Sequence, residues 1–229
     1  MLKIEKVSKS YQSGKVKIKA LDDISVNIGK GEFVILKGPS GSGKTTFLNI
    51  SGLLTKISNG CLWISDQEVS HLPDHFISQI RREKIGFIFQ QFNLLSGYKT
   101  WENVAVPLIP LGVSLQKRKE KAIKLLEILH LETRAYFMAN ELSGGEQQRA
   151  AFARALINDP ELILADEPFS NIGHEHIEII TDIFAQLKKK GKTIIISLHH
   201  TQPQIIKLTD QVFHFKSGKM VLSKKNIID

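Results

Sequence analysis

Short apolar runs alternate along the chain with longer stretches in which apolar residues recur every three or four positions. Phe33–Leu36, Ile85–Phe89, Leu162–Ala165 and Thr193–Ser197 are almost continuously apolar and are bounded by Gly, Pro or charged residues. That pattern predicts strands buried on both faces, as in a parallel sheet. Leu2–Val7, Val212–Phe215 and Met220–Ser223 predict strands nearer an edge, and Ser217-Gly218 between the last two is a hairpin signal. Ala122, Leu125, Leu126 and Leu129 follow helical spacing, as do Ile177, Ile180, Phe184 and Leu187. The second of these helices should end on Lys188–Lys190, where cations suit the negative helix end, and stop at Gly191. Helical patterns also cover Thr46–Leu53 and Glu146–Ile157. Strand and helix alternating in this way predict an α/β fold. From about residue 70 to 145, helices and loops dominate, which reads as a helical insertion in one α/β core.

Composition narrows the picture slightly. The chain has 229 residues, and its single cysteine, Cys61, excludes an intrachain disulfide. No apolar run approaches the roughly 18 residues needed to span a bilayer, and Met1–Ser10 lacks the apolar core of a secretory signal. The expectation is a cytosolic chain that does not itself cross a membrane. The net charge of +8 fits nucleic acid, an anionic membrane surface, or solvated helix faces such as Lys117–Lys121 and Lys188–Lys190.

Candidate chemistry changes it a great deal. Gly38-Pro39-Ser40-Gly41-Ser42-Gly43-Lys44-Thr45 fits G-x-x-x-x-G-K-[ST] and lies between an apolar strand and a helical pattern opening at Thr46. Glycines let the backbone curl so that several N–H groups face one anion, and the following helix adds its positive end. Lys44 supplies a full charge at the β- and γ-phosphates, and the Thr45 hydroxyl suits Mg²⁺. Further on, Leu162–Ala165 runs into Asp166 and Glu167. Ligands of a parallel sheet bind at the carboxyl ends of its strands. Asp166 is there a candidate Mg²⁺ ligand, and Glu167 a candidate to orient or deprotonate a water attacking the γ-phosphate.

Leu142-Ser143-Gly144-Gly145-Glu146-Gln147-Gln148-Arg149 makes a second anion-binding helix start, with a hydroxyl, free N–H groups and a helix dipole. Two phosphate-binding helix ends are too many for one nucleotide. Two copies arranged so that each caps the nucleotide of the other would use both.

With these motifs in this order, nearly the whole chain resembles the nucleotide-binding subunits of ABC transporters. The resemblance implies a phosphate-loop NTPase core of ABC ATPase type with a helical subdomain and an N-terminal β-rich part. On this reading residues 1–90 and 159–229 form the core, and about 91–158 form the helical subdomain carrying the signature motif. Gly38–Thr45 is similar to the Walker A loop, Leu162–Glu167 to Walker B with its catalytic glutamate, and Leu142–Glu146 to the LSGG signature. Gln90, with Gln91 as its neighbour, resembles the Q-loop glutamine that touches Mg²⁺ and the attacking water. His199 resembles the switch histidine, and Tyr11 lies where an aromatic usually stacks on adenine. Implied besides are ATP and Mg²⁺, a homodimer with ATP at its interface, and a separate transmembrane permease. That partner's cytoplasmic helices would dock around Phe92–Leu95 and Tyr98–Val106. Tyr98 and Trp101 read there either as exposed docking aromatics or as core of the insertion. Two positions depart from the family pattern. Gly173 stands where the D-loop after Glu167-Pro168 usually has Asp, and His200 follows His199 where Asp is common.

The stretches 80–87, 89–95 and 102–108 resemble one subgroup: the lipoprotein-releasing, macrolide-exporter and cell-division ATPases. A chain ending at Asp229 with no fused membrane segment is expected to act as a separate subunit on the cytoplasmic face of the membrane, in export or lipoprotein release. A cell-division type ATPase that regulates a membrane partner without transport is the alternative. A nucleic-acid machine of the same superfamily is disfavoured, because Asp166 follows Lys44 by 122 positions and the stretch between them holds no sustained heptads.

Overall fold

A computed structural model describes residues 1–14, 16–170, 173–199 and 202–223, without the side chains of Ser13, His174, Glu175, His176, Leu222 and Ser223. Its strands form two sheets. β1 (Leu2–Ser13), β2 (Val16–Ile28), β4 (Asn59–Ile64) and β5 (Gln67–Glu68) make an antiparallel sheet ordered β2-β1-β4-β5. The second sheet is built from β3 (Phe33–Lys37), β6 (Ile85–Ile88), β7 (Leu162–Asp166), β8 (Thr193–Ser197), β9 (Gln211–Lys216) and β10 (Lys219–Ser223). Its order is β10-β9-β3-β8-β7-β6. Only β10 runs antiparallel, paired with β9 through Ser217 and Gly218, whose φ angles of 49° and 77° are those of a tight hairpin turn. The four buried runs read from the sequence are the adjacent strands β3, β8, β7 and β6, parallel throughout.

Helices α1 (Lys44–Ser51), α2 (Asp74–Lys84), α6 (His174–Lys189) and α7 (Pro203–Leu208) accompany the sheets. α3 (Thr100–Ala105), α4 (Leu115–Ile128) and α5 (Gly144–Leu156) pack on one another as a helical arm. Trp101 settles into the arm's apolar interior, whereas Tyr98 is half exposed. The two aromatics are thus divided between the two readings open from the sequence, Tyr98 exposed and Trp101 in the core.

The six-stranded sheet separates two apolar cores. Side chains alternate along β3, with Phe33 and Ile35 facing the core shared with the arm and α6, and Val34 and Leu36 facing the core shared with α1 and the antiparallel sheet. The same alternation runs through Leu162–Ala165 and Ile194–Ile196. Parallel registers bring Asp166 level with Ser197, and Leu36 level with the same serine. Four neighbouring strands therefore deliver their carboxyl ends, and the loops that follow them, to one place.

Candidate functional site

The loop after β3 is shaped by glycines where no other residue fits. Gly38 has φ 144°, and a Cβ there would lie 2.3 Å from the Phe215 carbonyl oxygen. Gly43, at φ 112°, would place a Cβ 2.7 Å from the Ala20 carbonyl oxygen. Gly43 also caps α1, so the helix opens at Lys44 with its first N–H groups free toward the loop. The Lys44 ammonium turns into the loop and donates to the Gly38 and Pro39 carbonyl oxygens at 2.7 and 3.0 Å. Burial pushes its pKa below the ordinary lysine range, while Glu167 and Asp166 pull it partly back. The buried Ser42 Oγ has no hydrogen-bond partner among the described residues. An unpaired buried hydroxyl beside a buried cation at a helix start suits an anion with several acceptor oxygens.

Hydrogen bonds knit the four strand ends together. Thr45 Oγ1 donates to Asp166 Oδ2 at 2.8 Å. Ser197 Oγ, fully buried on β8, donates to Asp166 Oδ1 at 2.5 Å and accepts from the Glu167 N–H at 3.0 Å. Glu167 has φ 49°, the left-handed conformation that turns the chain sharply as it leaves β7. Gln90 Nε2 donates to Glu167 Oε2 at 2.9 Å, and His199 Nε2 lies 2.7 Å from Glu167 Oε1. Gln90, rather than its neighbour Gln91, thus reaches Glu167. A cavity of about 220 Å³ is lined by Ser40–Thr46 together with Ala20, Gln90, Glu167 and His199.

The donor set also fits the implied metal. A hydroxyl and a carboxylate 2.8 Å apart beside a phosphate loop are the hard oxygen ligands Mg²⁺ takes when phosphate oxygens and water complete its shell.

Two groups of sequence candidates lie elsewhere. Tyr11 sits on the β1–β2 ribbon, opposite Ile18 and 41% exposed, with the Lys9 ammonium 5.0 Å from its ring centre. The signature residues Ser143, Gly144, Gly145 and Glu146 open α5, and none of them lines the phosphate-loop cavity. Ser143 caps the helix, and its N–H donates to Glu146 Oε2 at 2.8 Å in a reciprocal capping box. Arg134 Nε donates to Glu146 Oε1 at 2.8 Å. Burial works against the Glu146 charge, but Arg134 and Ser143 outweigh it and hold the carboxyl below its ordinary pKa. Gly173 caps the start of α6 with φ −63°, while Asn171, Ile172 and His200 fall outside the described residues.

Sequence reasoning missed Ser197, Arg134, Asn103 and Arg154. Ser197 carried one faint signal, a hydroxyl ending an otherwise apolar buried strand. The arginines gave none, because their partners are distant in sequence.

A groove of about 750 Å³ runs between Gln90–Leu94 and the start of α5 at Gly144 and Gln147. Tyr98, Tyr136, Phe137 and Met138 are exposed on the arm nearby, tied together where Lys99 bridges to Met138. Among the described residues, no helix is long and apolar enough to cross a membrane.

The family model described as ABC transporter matches residues 21–170. An uncharacterised ABC transporter ATP-binding protein of Thermotoga maritima is 44% identical over 202 residues, covering 88% of this chain and 86% of the relative. The macrolide export ATP-binding/permease protein MacB of Chlorobaculum tepidum is also 44% identical, over 98% of this chain but only 34% of its own length. Among solved structures, a dimeric ATP-binding cassette of Methanocaldococcus jannaschii, in a post-hydrolysis state with ADP and phosphate bound, superposes with a TM-score of 0.93. It is 38% identical to this chain, and each covers the other completely.

Proposed function

The chain belongs to the ABC transporter family, and from that premise we propose that it is the ATP-hydrolysing subunit of a membrane export complex, acting through a separate permease. It is an ABC ATPase and an ATP-binding subunit of a transporter. The observation that carries the catalytic reading is the continuous bonded path Thr45–Asp166–Ser197–Glu167–Gln90 beside the buried Lys44.

This geometry supports the following roles. The N–H groups of Ser40–Thr46 and the Lys44 ammonium bind the phosphates and set the γ-phosphoryl in place. Thr45, Asp166 and Gln90 would hold Mg²⁺, which would supply charge neutralisation to the phosphates. Glu167 takes the proton of the attacking water at its carboxylate. Gln90 and His199, one on each carboxylate oxygen, aim that carboxylate. In-line attack then yields ADP and phosphate, and positioning with charge stabilisation carries most of the rate.

The signature segment lies outside its own chain's cavity. A head-to-tail homodimer, in which Ser143–Glu146 close over the partner's phosphates and Tyr11 stacks on the adenine, gives that helix end a use. The solved cassette of similar fold is dimeric, which supports this arrangement. ATP-driven closure and reopening would be the working stroke.

The exposed aromatics Tyr98, Tyr136 and Phe137 and the neighbouring groove offer a cytoplasmic helix of the permease an apolar seat. With that partner the subunit would sit on the cytoplasmic face of the membrane. Similarity to macrolide-export proteins supports export, with lipoprotein release as the related task. Cell-division regulation without transport is the second reading, since the subgroup that residues 80–87, 89–95 and 102–108 resemble includes cell-division ATPases.

Glu167→Gln tests the core of the proposal. ATP binding should persist while turnover falls on the order of 10², the size of a general-base contribution, and near-normal turnover would remove Glu167 from that role. Copurified membrane proteins decide between transport and regulation.

A further inference from the structure

Gln90 reaches Glu167 through its side chain, but the backbone just beyond it is held from another quarter. The Arg154 guanidinium donates to the Phe92 and Asn93 carbonyl oxygens at 2.6 and 2.5 Å. Asn93 has φ 50°, a backbone turn that lets one planar fork serve two successive carbonyls. Both bonds are charge-assisted, and the guanidinium is pre-organised for such paired contacts. Burial depresses its pKa, yet the charge stays, as arginine does not deprotonate in proteins.

Arg154 belongs to α5, whose other end is the signature segment. From Ser143 to Arg154 is eleven residues, or about 16 Å of helix at the standard rise. Ala150, Ala151, Phe152 and Ala153 bury that helix in the arm's core, so it moves as a rod. The rest of the loop is tied to the arm too. Leu95 N–H donates to Asn103 Oδ1 at 2.6 Å, and Asn103 Nδ2 donates back to the Leu95 carbonyl at 3.1 Å.

We propose that Arg154 is a positioning residue for hydrolysis, clamping the backbone after Gln90 to α5 so that the glutamine and the signature helix move as one body. The proposal rests on the ATPase reading above. Arg154 touches no reacting atom. A shift of Gln90 when a phosphate arrives beside Glu167 is handed through carbonyls 92 and 93 to the guanidinium. It emerges at Ser143 as a change in the aim of the signature N–H groups. Without the clamp each chain still binds ATP on its own phosphate loop, but the two chains close over it poorly.

The test uses the full chain with Arg154→Met, which removes both bonds, and Arg154→Lys, which keeps the charge but not the fork. Each is made alone and together with Glu167→Gln. Thermal melting checks the fold, a fluorescent ATP analogue gives nucleotide Kd, phosphate release gives kcat and KM, and light scattering follows ATP-driven dimerisation in the Glu167→Gln background. For Arg154→Met the expected result is Kd within about twofold of wild type, with kcat and dimer affinity each down about tenfold, in the range of residues that couple sites without touching a ligand. Arg154→Lys should recover part of both losses. Two results overturn the proposal: a folded Arg154→Met chain with kcat and dimerisation within about twofold of wild type, or a Kd that weakens in step with kcat. Should Arg154→Met fail to fold, Arg154→Lys decides. A drop of about threefold or more in kcat at unchanged Kd supports the clamp, and anything less sinks it. Wild-type hydrolysis in the same assay keeps the two readings apart. Its absence would strike the ATPase reading, whereas its presence beside indifferent variants strikes only the clamp.

Discussion

Ser197→Ala removes one oxygen atom and two bonds. The wild-type hydroxyl donates to Asp166 and accepts from the Glu167 N–H, and the serine has no exposed surface. Losing a hydrogen bond to a buried charged group costs about 1.5–3 kcal/mol, and leaving a buried N–H unpaired costs about 1–3 kcal/mol. The two losses share one site and are not additive, so about 3 kcal/mol is the expected total. In a domain of this size each kcal/mol lowers Tm by about 2–4 °C, which predicts a fall of about 6–12 °C. The catalytic effect is separate. Asp166 and Glu167 leave β7 through a strained turn that Ser197 steadies from β8, and a small error in carboxylate placement is expensive in rate. We expect kcat to fall about tenfold or more while ATP Kd, set by the Lys44 loop, changes by less than about threefold. Calorimetry and steady-state phosphate release measure the two effects. A Tm within about 2 °C of wild type together with a kcat within about twofold would refute the reasoning, because the hydroxyl would then be replaceable by water.

Other substitutions probe separate parts of the molecule. Lys44→Ala should weaken nucleotide binding by at least about tenfold, read by equilibrium titration, since it removes the one ammonium inside the phosphate loop. Gly38→Ala forces a Cβ to within 2.3 Å of the Phe215 carbonyl oxygen and should cost about 3 kcal/mol or more in denaturant unfolding. Arg134→Gln tests the hold on Glu146. A carboxyl held below its ordinary pKa gives stability that is present above the unfolded value near 4.3 and lost as pH falls through the lower folded value. The variant should lose up to about 1 kcal/mol at neutral pH, and its deficit should shrink in acid, whereas an equal deficit at both would exclude the ion pair as the cause. Gly173→Asp supplies a side-chain cap where α6 has none. It should raise stability by a few tenths of a kcal/mol and change the ATPase Hill coefficient, and unchanged cooperativity would detach this position from site coupling.

The parallel strands and both glycine loops that open helices were legible because each carries a strong local pattern: an apolar run closed by Gly, Pro or acid, or glycines at a helix start. β2, β4 and β5 were not. Most of β2 is exposed or half-exposed, so its pairing with β1 decides its conformation more than its own side chains do. The helix Asp74–Lys84 has Ile80 as its one buried residue, too thin a stripe to announce itself. In the site, Lys44, Thr45, Asp166 and Glu167 could be named from motif chemistry, and Gln90 and His199 only through the family resemblance. Ser197 and Arg154 act on groups 30 to 62 residues away, and such contacts exist only once the sheet and the arm have assembled.

The sheet that divides the two apolar cores also divides the reach of a substitution. On one side, Val34, Leu36, Leu162, Leu164 and Ile195 commit to the ribbon and the phosphate loop; on the other, Phe33, Ile35, Ile163, Ile194 and Ile196 commit to the arm and α6. Drift on one face is screened from the other by a layer of hydrogen-bonded backbone. Substitutions in the arm's apolar interior and among its exposed aromatics should therefore leave the packing on the phosphate-loop side of the sheet as it is. Arms exchanged between relatives, cut at residues 91 and 158, should graft with little loss, provided the few polar stitches at the strand ends come across intact.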